Sequence, residues 1–327
     1  MEVMELPAPG AALRLERRPE PKPGAGEVRL RVEACAVCRT DLQICDGDLE
    51  ARGRPIVPGH QVVGRVEAVG SRVRPGLMGR RLGVGWLASA CGRCRFCRGG
   101  RENLCPAATF TGWDRDGGFA SQLLVRADFA QPLPDQGDPA LMAPLLCGGV
   151  IGYRAWRCSL VGRGDRLGLY GFGASAHLVA QVALAEGCRL FVVTRNPAAQ
   201  RLAQEMGATW VGPPGRRLPR QLQAAITFTP QGSAVMDALR ALDRGGRCVV
   251  NAIHLDRIPG FEYQLLYWER QLLSVANFTR QDASDFLRMA DEIPVRPRIQ
   301  PFSLADANSA LGRLREGSAG GVGVLIP

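Results

Sequence analysis

Cys91, Cys94, Cys97 and Cys105 put four thiols within fifteen residues, with two, two and seven residues between them. Four soft ligands on short loops suit a tetrahedral zinc ion, and a closed set of four leaves no position for substrate. Gly92, Gly99 and Gly100 supply the backbone freedom for such wrapping. Iron–sulfur clusters also use four thiolates, but their usual runs are spaced differently. The expected role is a structural zinc.

A second motif points to a nucleotide. Gly171-Phe-Gly-Ala-Ser-Ala176 follows a short apolar run, Leu167 to Tyr170, and opens a helical pattern. In this G-x-G-x-x-A form Gly171 permits the turn and Gly173 lets backbone approach a pyrophosphate. Ala176 is small enough for helix–strand packing. About 20 residues on, where an acid would select NAD by holding the ribose hydroxyls, no acid lies between Glu186 and Glu205. Thr194 and Arg195 stand there instead, and a hydroxyl and a guanidinium fork suit a 2′-phosphate. NADP is the expected cofactor, with NAD possible.

These residues need elements to hold them. Residues 26–130 alternate short strands with Gly and Pro: apolar Val28, Leu30 and Val32 interleave with Arg29, Arg31 and Glu33. Residues 60–69 read as another strand, with Gly64 at a bend. After about 165 strands and helices alternate. Strands are expected at 167–170, 189–194, 224–228 and 247–252, and helices to Glu186, from Pro197 to Gly207, and from Ser233 to Leu242. That order argues for a parallel sheet covered on both faces. From about 283 the chain returns to helices and ends in a strand, Val322 to Ile326. The fold class expected is α/β, with a β-rich domain followed by a doubly wound sheet.

At 327 residues, 46% hydrophobic and 22% charged, the chain has room for about two cores and is too apolar to be largely disordered. No apolar stretch is long enough to cross a membrane. Residues 1–23 lack the apolar segment of a signal peptide, so a reducing, cytoplasmic setting is expected for the eleven cysteines. The net charge is +10, and every base except Lys22 is an arginine. The arginines never run longer than two, which reads as a solvated surface rather than a nucleic-acid footprint.

The four-cysteine stretch, with Ala36-Val-Cys38-Arg-Thr-Asp41, Pro58-Gly-His60, Pro144-Leu-Leu-Cys147 and Gly171-Phe-Gly173, resembles the zinc-dependent medium-chain alcohol dehydrogenases, in order and distance, over essentially the whole chain. The resemblance implies a GroES-like catalytic domain over 1–143 and 281–327 and a Rossmann-type cofactor domain over 144–280. It implies two zincs per chain, the catalytic one on Cys38, His60 and Cys147. Asp41 would orient the His60 ring, Thr40 would take the alcohol proton, Gln43 would stand in the proton relay, and Arg39 would face the pyrophosphate. Leu49, Trp86, Trp113 and Ile151 resemble pocket-lining positions, although bulky core residues read the same way; as a pocket they favour apolar alcohols or aldehydes. Cys35 is expected to be a small packed residue. Cys45, Cys158, Cys188, Cys248, His177 and His254 fall to packing or surface.

The implied activity is reversible hydride transfer between a primary or secondary alcohol and its aldehyde or ketone, in a homodimer or homotetramer acting on small molecules. Three departures from the family stand out. Gln61 replaces an acid that often follows the histidine, Gln43 replaces a histidine at the end of the relay, and Gly320-Gly321 replaces a base near the tail. Two rivals remain. A quinone or enone reductase of the same superfamily would lack both zinc sites, and a zinc-ribbon nucleic-acid binder would leave the glycine loop unexplained.

Overall fold

The computed structural model describes residues 1–50, 55–293, 295–317 and 321–327. They pack as two compact units. One comprises Met1–Cys147, Thr279–Leu287 and Arg296–Pro327, and the other Gly148–Phe278 and Arg288–Val295.

The first unit is built on strand Glu27–Ala36, whose buried and open residues alternate as the sequence pattern requires. It pairs antiparallel with Val62–Val69 and with Gln122–Arg126. The register with Val62–Val69 slips between Val32 and Ala34, next to Gly64. A Cβ on Gly64 would come 2.6 Å from the Arg31 carbonyl oxygen, so the bend needs glycine. On the other side of Glu27–Ala36 lies Val322–Ile326, with Val324 opposite Ala36 and Leu325 opposite Cys35. Ile299–Ser303 then extends this sheet. The core beneath joins Ala34, Ala36, Val63, Leu133, Ala143, Leu146 and Val324. Leu146 lies against Gly83, where an added Cβ would meet its Cδ2 at 2.5 Å. That fit seats the chain immediately before Cys147.

The second unit is a six-stranded sheet, parallel throughout. Its order is Trp210–Gly212, Arg189–Val193, Arg166–Tyr170, Leu222–Thr227, Leu242–Val250 and Gln271–Ser274. Helices Gly148–Ser159, Ala174–Ala185, Pro197–Glu205 and Gly232–Ala241 belong to it. One core gathers Leu167, Leu169, Val179, Leu190, Val192 and Ile226, and a second gathers Tyr170, Phe191, Val193, Val235, Leu239 and Cys248. Strand residues of alternate parity thus feed opposite faces, as a doubly wound sheet demands. The four strands expected from the sequence are present within a few residues. Trp210–Gly212 and Gln271–Ser274 were not expected, being three and four residues long with no alternation to mark them. Among the described residues no helix is long and apolar enough to cross a membrane.

Candidate metal and nucleotide sites

Cys38 ends the central strand's run and caps helix Arg39–Asp46, its sulfur accepting the Thr40 amide at 3.4 Å. Asp41 returns the bond, its Oδ2 taking the Cys38 amide at 2.8 Å. The other carboxylate oxygen accepts the Gly59 amide at 3.2 Å and lies 2.9 Å from His60 Nδ1. Both Asp41 and His60 are buried. With Nδ1–H donating to Asp41, the Nε2 lone pair faces the Cys38 sulfur 3.2 Å away. The turn that delivers His60 requires Gly59, at φ 101° and packed against Phe119 and the sulfur of Cys35. Cys35 is therefore a buried packing residue, as expected.

The ligand atoms of Cys38, His60 and Cys147 lie within 4.8 Å of one another. The hydrogen bond from Cys147 pulls the Cys38 thiol well below its ordinary pKa, against the effect of burial. That same pairing, with burial, pushes Cys147 well above it. Burial opposes protonation of His60, but the charges of Asp41 and Cys38 outweigh it and raise its pKa well above normal. Two thiolates and a neutral imidazole offset the charge of a zinc ion and leave a fourth position open, so the donor set fits the metal.

Cys91, Cys94, Cys97 and Cys105 also converge within 4.8 Å. Tetrahedral zinc at a Zn–S distance of about 2.3 Å puts sulfurs about 3.8 Å apart. Here Cys94 and Cys97 are 3.5 Å apart and Cys91 and Cys97 4.0 Å. The amides of Cys91, Cys94 and Cys97 donate to the sulfurs of Cys105, Cys91 and Cys94. Backbone amides, that of Arg93 foremost, bring the Cys91 thiol down to about 6. These four sulfurs likewise fit zinc, with no place left for substrate.

Thr40 and Gln43 are buried on the Asp41 helix. Gln61 is buried too, its amide donating to the Ala36 carbonyl at 3.3 Å. Arg39 is exposed. Trp86 sets its ring edge-on to His60, centroids 4.9 Å apart, and stacks on Phe110 and Trp113 at 5.1 and 5.9 Å. Phe110 was not anticipated. It joins the stack because strands Leu87–Ser89 and Thr109–Phe110 pair across the cysteine lobe, a contact with no local signal. Leu49 is half-buried, and so is Ile151, which lies on helix Gly148–Ser159 of the second unit. Of the tail glycines, Gly320 lies outside the described residues.

In the second unit Gly171 takes φ 90°, and a Cβ there would meet Thr229 at 2.7 Å. Gly173 caps helix Ala174–Ala185 with open space where a side chain would stand, and Ala176 is fully buried. The first glycine thus makes the turn, the second leaves the helix amides open to an anion, and the alanine packs. Beside the loop is a cavity of about 470 Å³, whose wall includes Tyr170, Gly171, Thr194, Arg195, Pro214 and Asp237. Thr194 is held by its amide on the Gly212 carbonyl at 3.0 Å. Pro214, Thr229 and Gln231, on loops, and Asp237, on helix Gly232–Ala241, were not anticipated, being far apart in sequence and gathered at one end only by the parallel sheet.

Residues 24–135 match the alcohol dehydrogenase GroES-like domain and residues 176–292 the zinc-binding dehydrogenase domain. The chain is 45% identical to probable alcohol dehydrogenase AdhA of Mycobacterium tuberculosis, over 94% of this chain and 90% of that protein. It is 32% identical to an alcohol dehydrogenase of Geobacillus stearothermophilus over 96% of this chain and 95% of that one. A zinc-binding dehydrogenase of Sinorhizobium meliloti, solved with NADP bound, superposes with a TM-score of 0.87 at 25% identity, covering 100% and 99% of the two chains. With its GroES-like unit, its parallel nucleotide-type sheet and both cysteine sets in place, the chain belongs to the zinc-type alcohol dehydrogenases of the medium-chain dehydrogenase/reductase family.

Proposed function

We propose that the chain interconverts a primary or secondary alcohol with its aldehyde or ketone, using NADP(H) and two zinc ions. The observation that carries this reading is the converging trio Cys38, His60 and Cys147, its buried imidazole oriented by Asp41 and its two sulfurs half-buried, separate from a closed four-thiolate set. When bound, the metal would supply a Lewis acid at the substrate oxygen and the nicotinamide a hydride acceptor.

The remaining work falls to the chain. Asp41 keeps the proton of His60 on Nδ1, so Nε2 stays a ligand. Thr40, two residues after Cys38, would accept the hydroxyl proton. Gln43 can pass hydrogen bonds but does not titrate near neutral pH, so water would complete that relay. Gln61, bound to the Ala36 carbonyl, brings no negative charge to the trio. Arg39 is the cation proposed for the pyrophosphate. Trp86, Trp113, Leu49 and Ile151 would favour an apolar substrate.

NADP(H) is placed ahead of NAD(H) because Thr194 and Arg195 border the cavity with no acid beside them in sequence. The NADP bound by the Sinorhizobium meliloti dehydrogenase supports this. The proposed domain division is 1–143 with 281–327 for the zinc sites and 144–280 for the nucleotide. The chain is proposed to act in the cytoplasm, where eleven free cysteines would stay reduced. A homodimer or homotetramer is proposed, and the open sheet edge Gln271–Ser274 beside exposed Tyr263, Tyr267 and Trp268 supports it.

Metal analysis beside initial rates over alcohols and aldehydes, with both nucleotides, tests the reading. Two zincs and alcohol turnover are expected. Fewer than two zincs per chain, or no alcohol turnover with either nucleotide, would overturn it.

A further inference from the structure

Strand Trp210–Gly212 is followed by a loop, Pro213-Pro-Gly-Arg-Arg-Leu-Pro-Arg220, that holds three arginines and no acid. Gly212 pairs in register with Val193, and its carbonyl holds the Thr194 amide. Residues after Gly212 therefore emerge beside Thr194 and Arg195, at the same end of the parallel sheet. Pro214 already lines the cavity that Thr194 and Arg195 border.

Arg216 folds back over this junction. A Cβ built on Gly212 would lie 3.3 Å from the Arg216 Cδ and 2.6 Å from the Trp210 ring. The bare face of Gly212 is thus shared by the indole and the arginine stem. The Arg216 guanidinium stands 6.0 Å from the Trp210 ring centroid, within cation–π range. Its aliphatic part is seated on protein while its charged head is exposed. Among the described residues neither Arg195 nor Arg216 forms an ion pair with a carboxylate. Arg195 lines the cavity, and Arg216 stands on the adjacent loop two residues beyond Pro214, which lines it too, so two guanidinium groups without a carboxylate partner flank one end of the sheet.

We infer that Arg216 is a second determinant of nucleotide choice, contributing with Arg195 to recognition of a ribose 2′-phosphate. This inference rests on the reading of the second unit as an NADP(H) site. A 2′-phosphate brings close to two negative charges to a wet rim, where a single fork leaves part of that charge unpaired. An arginine whose stem is already seated over Gly212 beside an indole loses less side-chain freedom on binding than a free one.

The test is binding, measured without turnover. Dissociation constants for 2′,5′-ADP, 5′-AMP, NADP+ and NAD+ would be measured by calorimetry on the whole protein, its metal content checked to be unchanged. Arg195→Ala, Arg216→Ala and Arg216→Glu would be compared with wild type. Arg216→Ala should weaken 2′,5′-ADP and NADP+ about three- to tenfold, the range of a semi-exposed charged contact, and leave 5′-AMP and NAD+ unchanged. Arg216→Glu should weaken the two phosphorylated ligands further. Both effects should shrink as salt is raised.

If Arg195→Ala selectively loses 2′,5′-ADP while both Arg216 variants match wild type, the inference is wrong and the NADP(H) reading stands. If wild type binds 5′-AMP as tightly as 2′,5′-ADP, the NADP(H) reading itself fails. Equal weakening of all four ligands by Arg216→Ala would make the residue a packing element and overturn the inference.

Discussion

The Asp41 carboxylate divides its oxygens: one caps the Cys38 amide at 2.8 Å and the other faces His60 Nδ1 at 2.9 Å. One buried side chain therefore fixes two of the three candidate ligands. Asp41→Asn keeps the shape and an acceptor but loses the charge that favours the Nδ1–H tautomer. Zinc affinity should fall about 10- to 100-fold. Competition with a coloured chelator measures it, and unchanged retention of both zincs would contradict this account.

The two cysteine sets should separate in their consequences. Cys147→Ala opens the trio, so zinc should drop from two per chain to one and turnover should vanish while the fold persists. Cys94→Ala breaks the closed set and should lower thermal stability. Paired metal analysis, melting curves and rates decide it. A Cys94→Ala protein that melts like wild type yet is inactive would refute the structural assignment.

Arg195→Asp should shift efficiency toward NAD(H), by removing attraction for a 2′-phosphate and adding repulsion. Wild type should favour NADP(H) about ten- to a hundredfold. The ratio of kcat/KM with the two nucleotides reads this out, and a ratio unaltered by the substitution counts against it.

Glu102, buried within the cysteine lobe, accepts both the amide and the Nε of Arg280 at 3.0 and 3.2 Å. Burial disfavours its charge, but amide bonds and the Arg280 guanidinium win and hold its pKa below 4.5. A carboxylate depressed in the folded state stabilises above its unfolded pKa and loses that effect as pH falls through the folded value. Glu102→Gln should therefore melt well below wild type near neutral pH, the gap narrowing below about pH 4.5. A gap that stays constant with pH would exclude the charge as its origin.

The sequence disclosed those parts whose chemistry is local. Four cysteines on one short stretch and a glycine loop after an apolar strand declare themselves by spacing. The trio does not, because Cys38, His60 and Cys147 are joined only by tertiary structure, and family resemblance rather than periodicity linked them. Phe110 and Arg216 gave no signal at all. Phe110 enters its stack through a two-residue strand, and Arg216 turns back on a glycine whose bareness is visible only in three dimensions. The Trp210 strand was missed for a related reason, since three residues are too few to show a period.

The pairing of Val324 with Ala36 spans about 290 residues, and the Val37 amide closes on the Gly323 carbonyl at 2.8 Å. The strand leading to Cys38 is thus finished by a segment synthesised about 290 residues after it. Contacts of such separation form slowly, since a long loop must close before they repay its entropy. While the ribosome works, Cys38 and His60 are present but one edge of their sheet is open. The lobe cysteines, all within fifteen residues, have no such wait. The two metal sites should mature in sequence during biosynthesis, the closed one first. Zinc starvation during expression should then leave a population with the lobe filled and the trio empty.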